Sequence, residues 1–266
     1  MIKNLYKYRF LLQEIVRKNV TLQYRNSVLG IFWTFLQPLL TTLVLVLVFG
    51  NIFGRDSKSL ISYPIYLLCG RLLYEFFTQS TKRAMRSITL SASVIKKVYV
   101  PKYIYPLANV LSTFVTFAIS LTVLVSFIAY YRIFTDIPIQ ITHYMFYSIV
   151  PLAILLLLCL GIGLILSTLQ VFFRDIEYLY DVFCMLLFYL TPIFYSVGDL
   201  KLHHTVKLAL MANPLYSIVS MFRSCMLFGE MWNWNWFYYS LGFAVLSMLI
   251  GSLLFYKKQD KFILHI

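Results

Sequence analysis

The sequence predicts an all-α membrane protein: six transmembrane helices, an N-terminal interfacial amphipathic helix, and outer-side re-entrant half-helices between spans five and six. Three observations carry this. Of 266 residues, 61% are hydrophobic and only 12% charged, whereas soluble domains are roughly 45–50% apolar and about 25% charged. No residue between Arg25 and Arg55 is charged, and as a helix rising about 1.5 Å per residue that run exceeds the roughly 30 Å hydrocarbon core of a bilayer. Finally, Lys and Arg are dense in alternate connections and sparse between them, which orients the spans by the positive-inside rule. Residues 1–266 are expected to form a single polytopic domain without a separate soluble catalytic domain.

The chain begins with an amphipathic helix over residues 1–25. Leu5, Tyr8, Leu12, Ile15, Val16 and Val20 repeat at helical spacing, with Lys7, Arg9, Gln13, Glu14, Arg17 and Lys18 between them. That pattern fits a helix lying in the headgroup plane, where basic residues suit anionic membrane lipids; the alternative is a surface helix of a cytosolic extension. The segment is too polar for a signal-peptide core, so no cleavable signal is expected. The first span is then expected from Tyr24 to Phe53. Pro38 cannot donate to the Thr34 carbonyl, so a kink is expected there.

A polar turn, Gly54 to Ser59, precedes a second span from about Ile61 to Ser80 that carries Arg71 and Glu75 one turn apart. Ionisable groups at that depth mark either a polar point on a pathway or an ion pair that neutralises itself. Lys82, Arg83, Arg86, Lys96, Lys97 and Lys102 follow without an acid between them. Further spans are expected at about Tyr105–Tyr130, Phe146–Phe173 and Val182–Val197, the last interrupted by Pro192 and preceded by a polar break, Arg174 to Asp181. The sixth runs from about Phe237 to Tyr256. Val206 to Phe228 is apolar but broken at Asn213-Pro214. A crossing there would force Lys257, Lys258 and Lys261 outside, so half-helices dipping in from the outer side, shielded by protein, fit better. Both termini are therefore expected in the cytoplasm.

Composition and motifs exclude several functions. The net charge of +13 flanks the spans and forms no recognition motif, so no nucleic acid is expected. Cys69, Cys159, Cys184 and Cys225 have no metal or disulfide spacing and read as buried small hydrophobes. His203 and His204 are adjacent and diverge along a helix, so no metal site is expected. The chain contains no phosphate-binding loop, no H-E-x-x-H and no G-x-S-x-G, hence no visible energy source and no cofactor of its own. Aromatic residues reach 18%, and several lie inside spans: Phe32, Trp33, Phe35, Phe76, Phe77, Phe188 and Tyr189. Such rings either pack between helices or stack on sugars sliding past them. Trp232, Trp234 and Trp236 read as an outer interfacial belt. Gly50 with Gly54, and Ser247 with Gly251, are small pairs compatible with close helix contact.

Five stretches in order, YRNSVLGIFWTFLQPL, VIKKVYVPKYIYPL (Val94–Leu107), FFRDIEYLYD, LTPIFYS and NPLYSIVSMFR, closely resemble the permease subunits of type-2 ABC exporters for polysaccharides and polyol phosphates, the O-antigen, capsule and teichoic-acid exporters. The motif residues include Pro38, Arg174, Asp175, Pro192, Asn213, Pro214 and Arg223. The resemblance implies a homodimer bound to two cytoplasmic ABC ATPase subunits, which hold the ATP and Mg, in the bacterial plasma (inner) membrane. It implies a cytoplasmic coupling loop at 82–104, with Arg86, Ser87, Leu90, Val94, Ile95, Lys96, Lys97 and Lys102 docking into the ATPase, and an extracytoplasmic gate region at 198–236. Tyr24 and Arg25 become the hinge between interfacial helix and membrane. A lipid-linked glycan or polyol-phosphate polymer would pass between protomers along spans one and five, making Phe32, Trp33, Phe35, Phe188, Tyr189, Phe194 and Tyr195 candidates for its path. Arg71 and Glu75 are not part of the resemblance and stay open as path residues. Export of a small amphiphile, or a membrane-embedded transferase, are the competing readings.

Overall fold

A computed structural model describes residues 6–25, 27–53, 63–98, 100–134, 142–195 and 210–265. The expectations placed on Gly54–Ser59, on His203 and His204, and on the first part of the 198–236 region lie outside the described residues. Among those described there are helices and turns and no strand. We label the helices α1 (Arg9–Tyr24), α2 (Trp33–Phe53), α3 (Tyr63–Leu90), α4 (Ala92–Ile95), α5 (Ile104–Phe134), α6 (Tyr144–Tyr147), α7 (Ile149–Phe172), α8 (Ile176–Leu190), α9 (Pro214–Arg223), α10 (Trp234–Lys258) and α11 (Phe262–His265). Among the described residues, four stretches are long and apolar enough to cross a membrane: Gly30–Val48, Ile104–Phe134, Tyr144–Phe172 and Trp234–His265. The 28-residue α3 is diluted by Arg71, Glu75, Lys82, Arg83 and Arg86, and the 15-residue α8 is short.

The bundle is built around α7, which packs along α10 and α3 and touches α5, α8 and α9. In lipid, where apolar side chains gain little by meeting one another, helix association depends on close fit. That fit is visible at α7 and α10. A Cβ on Gly161 would stand 2.5 Å from the Met248 nitrogen, and one on Gly251 would stand 2.5 Å from the Gly161 carbonyl oxygen. The expected Ser247–Gly251 pair therefore does sit at a close crossing. Buried hydroxyls bond back to their own helix turns, as Thr81 does to Phe77 O (2.7 Å) and Thr168 to Leu164 O (2.9 Å), so few polar groups face apolar surroundings unpaired.

Three expected boundaries move. The run from Tyr24 to Phe53 is not one helix: α1 ends at Tyr24, a turn and a 3-10 segment (Gly30–Phe32) follow, and α2 starts at Trp33. Gly30 has φ +53°, a left-handed conformation that glycine adopts without a Cβ clash. The fifth helix begins at Ile176 instead of Val182, so most of the expected polar break is helical, and Pro192 lies just beyond its end. Most of the loop expected after the second span is helix too, because α3 continues to Leu90 and α4 follows it. The last two share a reason: charged residues on one face of a helix extend it past the apolar run by which a span is recognised.

The amphipathic reading of the N-terminal segment matches its packing. Tyr8, Leu11, Leu12 and Ile15 rest on a cluster that includes Ile88, Ile104, Phe255 and Phe262, while Arg9, Arg17 and Lys18 are exposed. Asn19 Nδ2 donates to Asn109 Oδ1 (3.4 Å) and Arg83 Nη1 to Gln23 Oε1 (3.0 Å), which ties α1 to α5 and α3. All four cysteines are buried and free.

Candidate functional site

Pro38 lies inside α2, and the carbonyl it leaves without an intrahelical donor, that of Thr34, accepts from Ser120 Oγ on α5 at 3.1 Å. The proline's cost is thus met by a neighbouring helix. Close by, Gln23, Tyr24, Thr34, Gln37, Glu75 and Gln79 line a cavity of about 50 Å³ between α1, α2, α3 and α5. Its size suits about one water molecule. Arg71 and Glu75 form an ion pair at 3.7 Å, and Gln79 Nε2 donates to Glu75 Oε1 at 3.1 Å. The ion pair is thus formed within α3, and its acid also lines the small polar cavity.

Four motif residues meet at one clamp. Asn213 caps α9, its Oδ1 accepting from the Leu215 N–H at 3.0 Å with Pro214 at the first helical position, an arrangement that suits both residues. The same Asn213 donates through Nδ2 to Thr191 Oγ1 at 3.1 Å. From the other end of α9, Arg223 reaches across, buried at 3% exposure. It donates to Pro192 O (2.6 Å), Ile193 O (3.1 Å) and Tyr66 O (2.9 Å), and lies 3.6 Å from the Tyr66 ring centroid. Among the described residues no carboxylate pairs with it. The charge is held by carbonyl dipoles and a ring face. Gly70 is the complement, since a Cβ there would collide with the guanidinium.

A second set of contacts joins α3 to α8. Lys82 pairs with Asp181 at 2.7 Å, and Arg86 pairs with Glu177 one turn further on. Next along the same crossing, Tyr180 donates its hydroxyl to Thr81 Oγ1 at 2.7 Å and Tyr74 to Cys184 O at 2.5 Å. Glu177 and Asp181 were not singled out from the sequence. The signal was present: two acids four residues apart answer two bases four residues apart, in antiparallel register. Arg174 and Asp175 are exposed in the turn that leads into α8.

At the tip between α3 and α5, Leu90, Val94 and Val98 are exposed at 79%, 46% and 53%. They sit beside exposed Lys96 and Lys97, whereas Ser87 and Ile95 are buried and fix the tip to the bundle. Lys102 is turned away, donating to Gln259 O. Among the candidate path aromatics, Phe32, Trp33 and Tyr189 are more than 40% exposed, whereas Phe194 is buried. Phe188 packs against Tyr74 and Phe194, and the Tyr195 hydroxyl donates to Tyr189 O (2.9 Å). Phe35 is half-buried against the core. The tryptophan belt divides: Trp234 is exposed, but Trp232 is buried beside Tyr147 and Phe237.

The family model of ABC-2 type transporters matches residues 11–227, from α1 into the π-helical stretch Ser224–Phe228 that follows α9. This chain is a member of that family. It is 27% identical over 255 residues to an O-antigen export system permease protein of Klebsiella pneumoniae, covering 95% of this chain and 93% of that one. A protein of the same description from Myxococcus xanthus is 28% identical over 84% of this chain and 83% of its own length. The polysialic acid transport protein of Escherichia coli is 21% identical, covering 87% of each. In this ABC-2 chain, the match spans both the Asn213–Arg223 clamp and the α3–α8 contacts.

Proposed function

We propose that this chain is the permease subunit of an ABC exporter that carries a lipid-linked polysaccharide across the bacterial plasma membrane. It works as a homodimer with two separate ATPase subunits that bind ATP and Mg. The single observation carrying this is the end-to-end similarity to O-antigen export permeases over 95% of the chain. Six spans, α2, α3, α5, α7, α8 and α10, with α9 re-entrant on the outer side and both termini cytoplasmic, fit the distribution of Lys and Arg. A polyol-phosphate polymer of the teichoic-acid type is the variant cargo.

The geometry supports a division of labour. The exposed knob of Leu90, Val94 and Val98 flanked by Lys96 and Lys97 is the ATPase docking surface, apolar at its centre and basic at its rim. Tyr178, Val182, Met185, Leu186 and Tyr189 on α8 and Leu40, Val44 and Leu47 on α2 are exposed in the single chain. These faces meet the second protomer and border the polymer's path. The ion pairs between α3 and α8 carry motion from the docking knob to that path.

The test is co-expression with the ABC ATPase subunit of a polysaccharide export system from the same organism and reconstitution into liposomes. The expected results are a stable complex and ATP hydrolysis stimulated by the lipid-linked polymer. Absence of both would sink the proposal; stimulation by a small amphiphile instead would replace the cargo.

A further inference from the structure

A larger cavity, about 360 Å³, opens where the residues preceding α1, the stretch from Val100 to Tyr103 and the end of α10 meet. It is separate from the small cavity beside Glu75. Lys7, Tyr8, Lys102, Tyr103, Tyr256 and Asp260 are in its wall, so positive charge exceeds negative. Tyr103 is 6% exposed, and its hydroxyl is buried without a hydrogen-bond partner among the described residues. A buried hydroxyl left so is unfavourable until an acceptor arrives. Lys102 spends one N–H on Gln259 O at 2.5 Å. Burial lowers its pKa, with Asp260 opposing the shift, so this ammonium is short of solvation.

These groups define a ligand. Ammonium groups and the phenol O–H all donate, so the ligand must offer several acceptor oxygens and negative charge. The place adds a constraint, because the apolar run of α10 ends at Tyr256, Lys257 and Lys258. Such Tyr and Lys termini lie at the level of lipid phosphates. We propose that the cavity is a binding site for a phosphate-bearing anion, supplied by the headgroup of an anionic membrane phospholipid. Bound there, it bridges the start of α1, the approach to α5 and the end of α10.

The full chain in nanodiscs of mixed phosphatidylglycerol and phosphatidylcholine, examined by native mass spectrometry, tests this without reading transport. Failure would therefore leave the permease proposal standing. Wild type is expected to retain phosphatidylglycerol preferentially. Lys7→Gln should lower retention about five-fold, the weight of one lysine near an anionic headgroup. Tyr103→Phe should lower it as well without lowering the melting temperature, since it removes an unpaired hydroxyl. Lys102→Arg should preserve it. Equal retention of both lipids, or equal retention in all variants, overturns the site. Displacement of the lipid by millimolar inorganic phosphate would overturn the lipid source and keep the phosphate site.

Discussion

Arg223 shows how a single residue can hold an irregular part of a membrane protein. The turn after α8 runs through Pro192 and Ile193, whose carbonyls would lack helical partners, and Arg223 supplies three donors to them and to Tyr66. Arg223→Met should destabilise the protein by about 3 kcal/mol, because three carbonyls lose a charged donor together. Gly70→Ala should do part of the same damage by displacing the guanidinium, and the two changes should be clearly less than additive in a double-mutant cycle of thermal unfolding. Additive losses would mean that the clamp is not one unit. Trp33, exposed at 41%, makes the opposite case: Trp33→Ala should impair export more than it lowers the melting temperature.

Among elements, the α3–α8 crossing is the most economical place to separate structure from coupling. Its ion pairs are partly exposed (36% and 45% for Lys82 and Asp181), so each adds only about 0.2–1 kcal/mol to stability. Reversal of one side alone, Lys82→Glu with Arg86→Glu, should therefore leave folding nearly intact yet reduce export several-fold relative to ATP hydrolysis. Reversal of both sides, adding Asp181→Lys and Glu177→Lys, should restore it. Failure of that rescue, with all variants folded, would reduce these pairs to surface decoration. In α4, Ile95→Pro removes the bond from Ile95 N to Ser91 O (3.0 Å) and disturbs a buried anchor. Hydrolysis without export is the expected phenotype, and normal transport would move the docking surface elsewhere.

At the scale of the whole molecule, the exposed apolar faces of α2 and α8 need either lipid or a second copy. Native cysteines are all buried, so a single introduced cysteine reports cleanly. Val182→Cys should form a disulfide between protomers in membranes under mild oxidation, read as a dimer on a non-reducing gel. The equivalent change on the exposed face of α10, Leu249→Cys, should not. Equal cross-linking at both positions would argue for random collision.

The helical class, the membrane and the family were legible in the residues, since each rests on local signals: apolar runs, the placement of Lys and Arg, and motifs in order. The amphipathic stripe of α1 and the break at Asn213-Pro214 were legible for the same reason. Where α8 starts and how far α3 continues were not, because a charged helical turn looks like a loop until its partner helix is known. Glu177 and Asp181 needed Lys82 and Arg86 placed opposite them, Thr34 needed Ser120, and Arg223 needed Gly70 and the carbonyls of Pro192 and Ile193. Sequence alone thus determined which stretches are apolar enough to be buried in lipid. Tertiary structure decided how the polar groups inside are satisfied, because in an apolar medium each needs a partner, and here those partners are far apart in the chain.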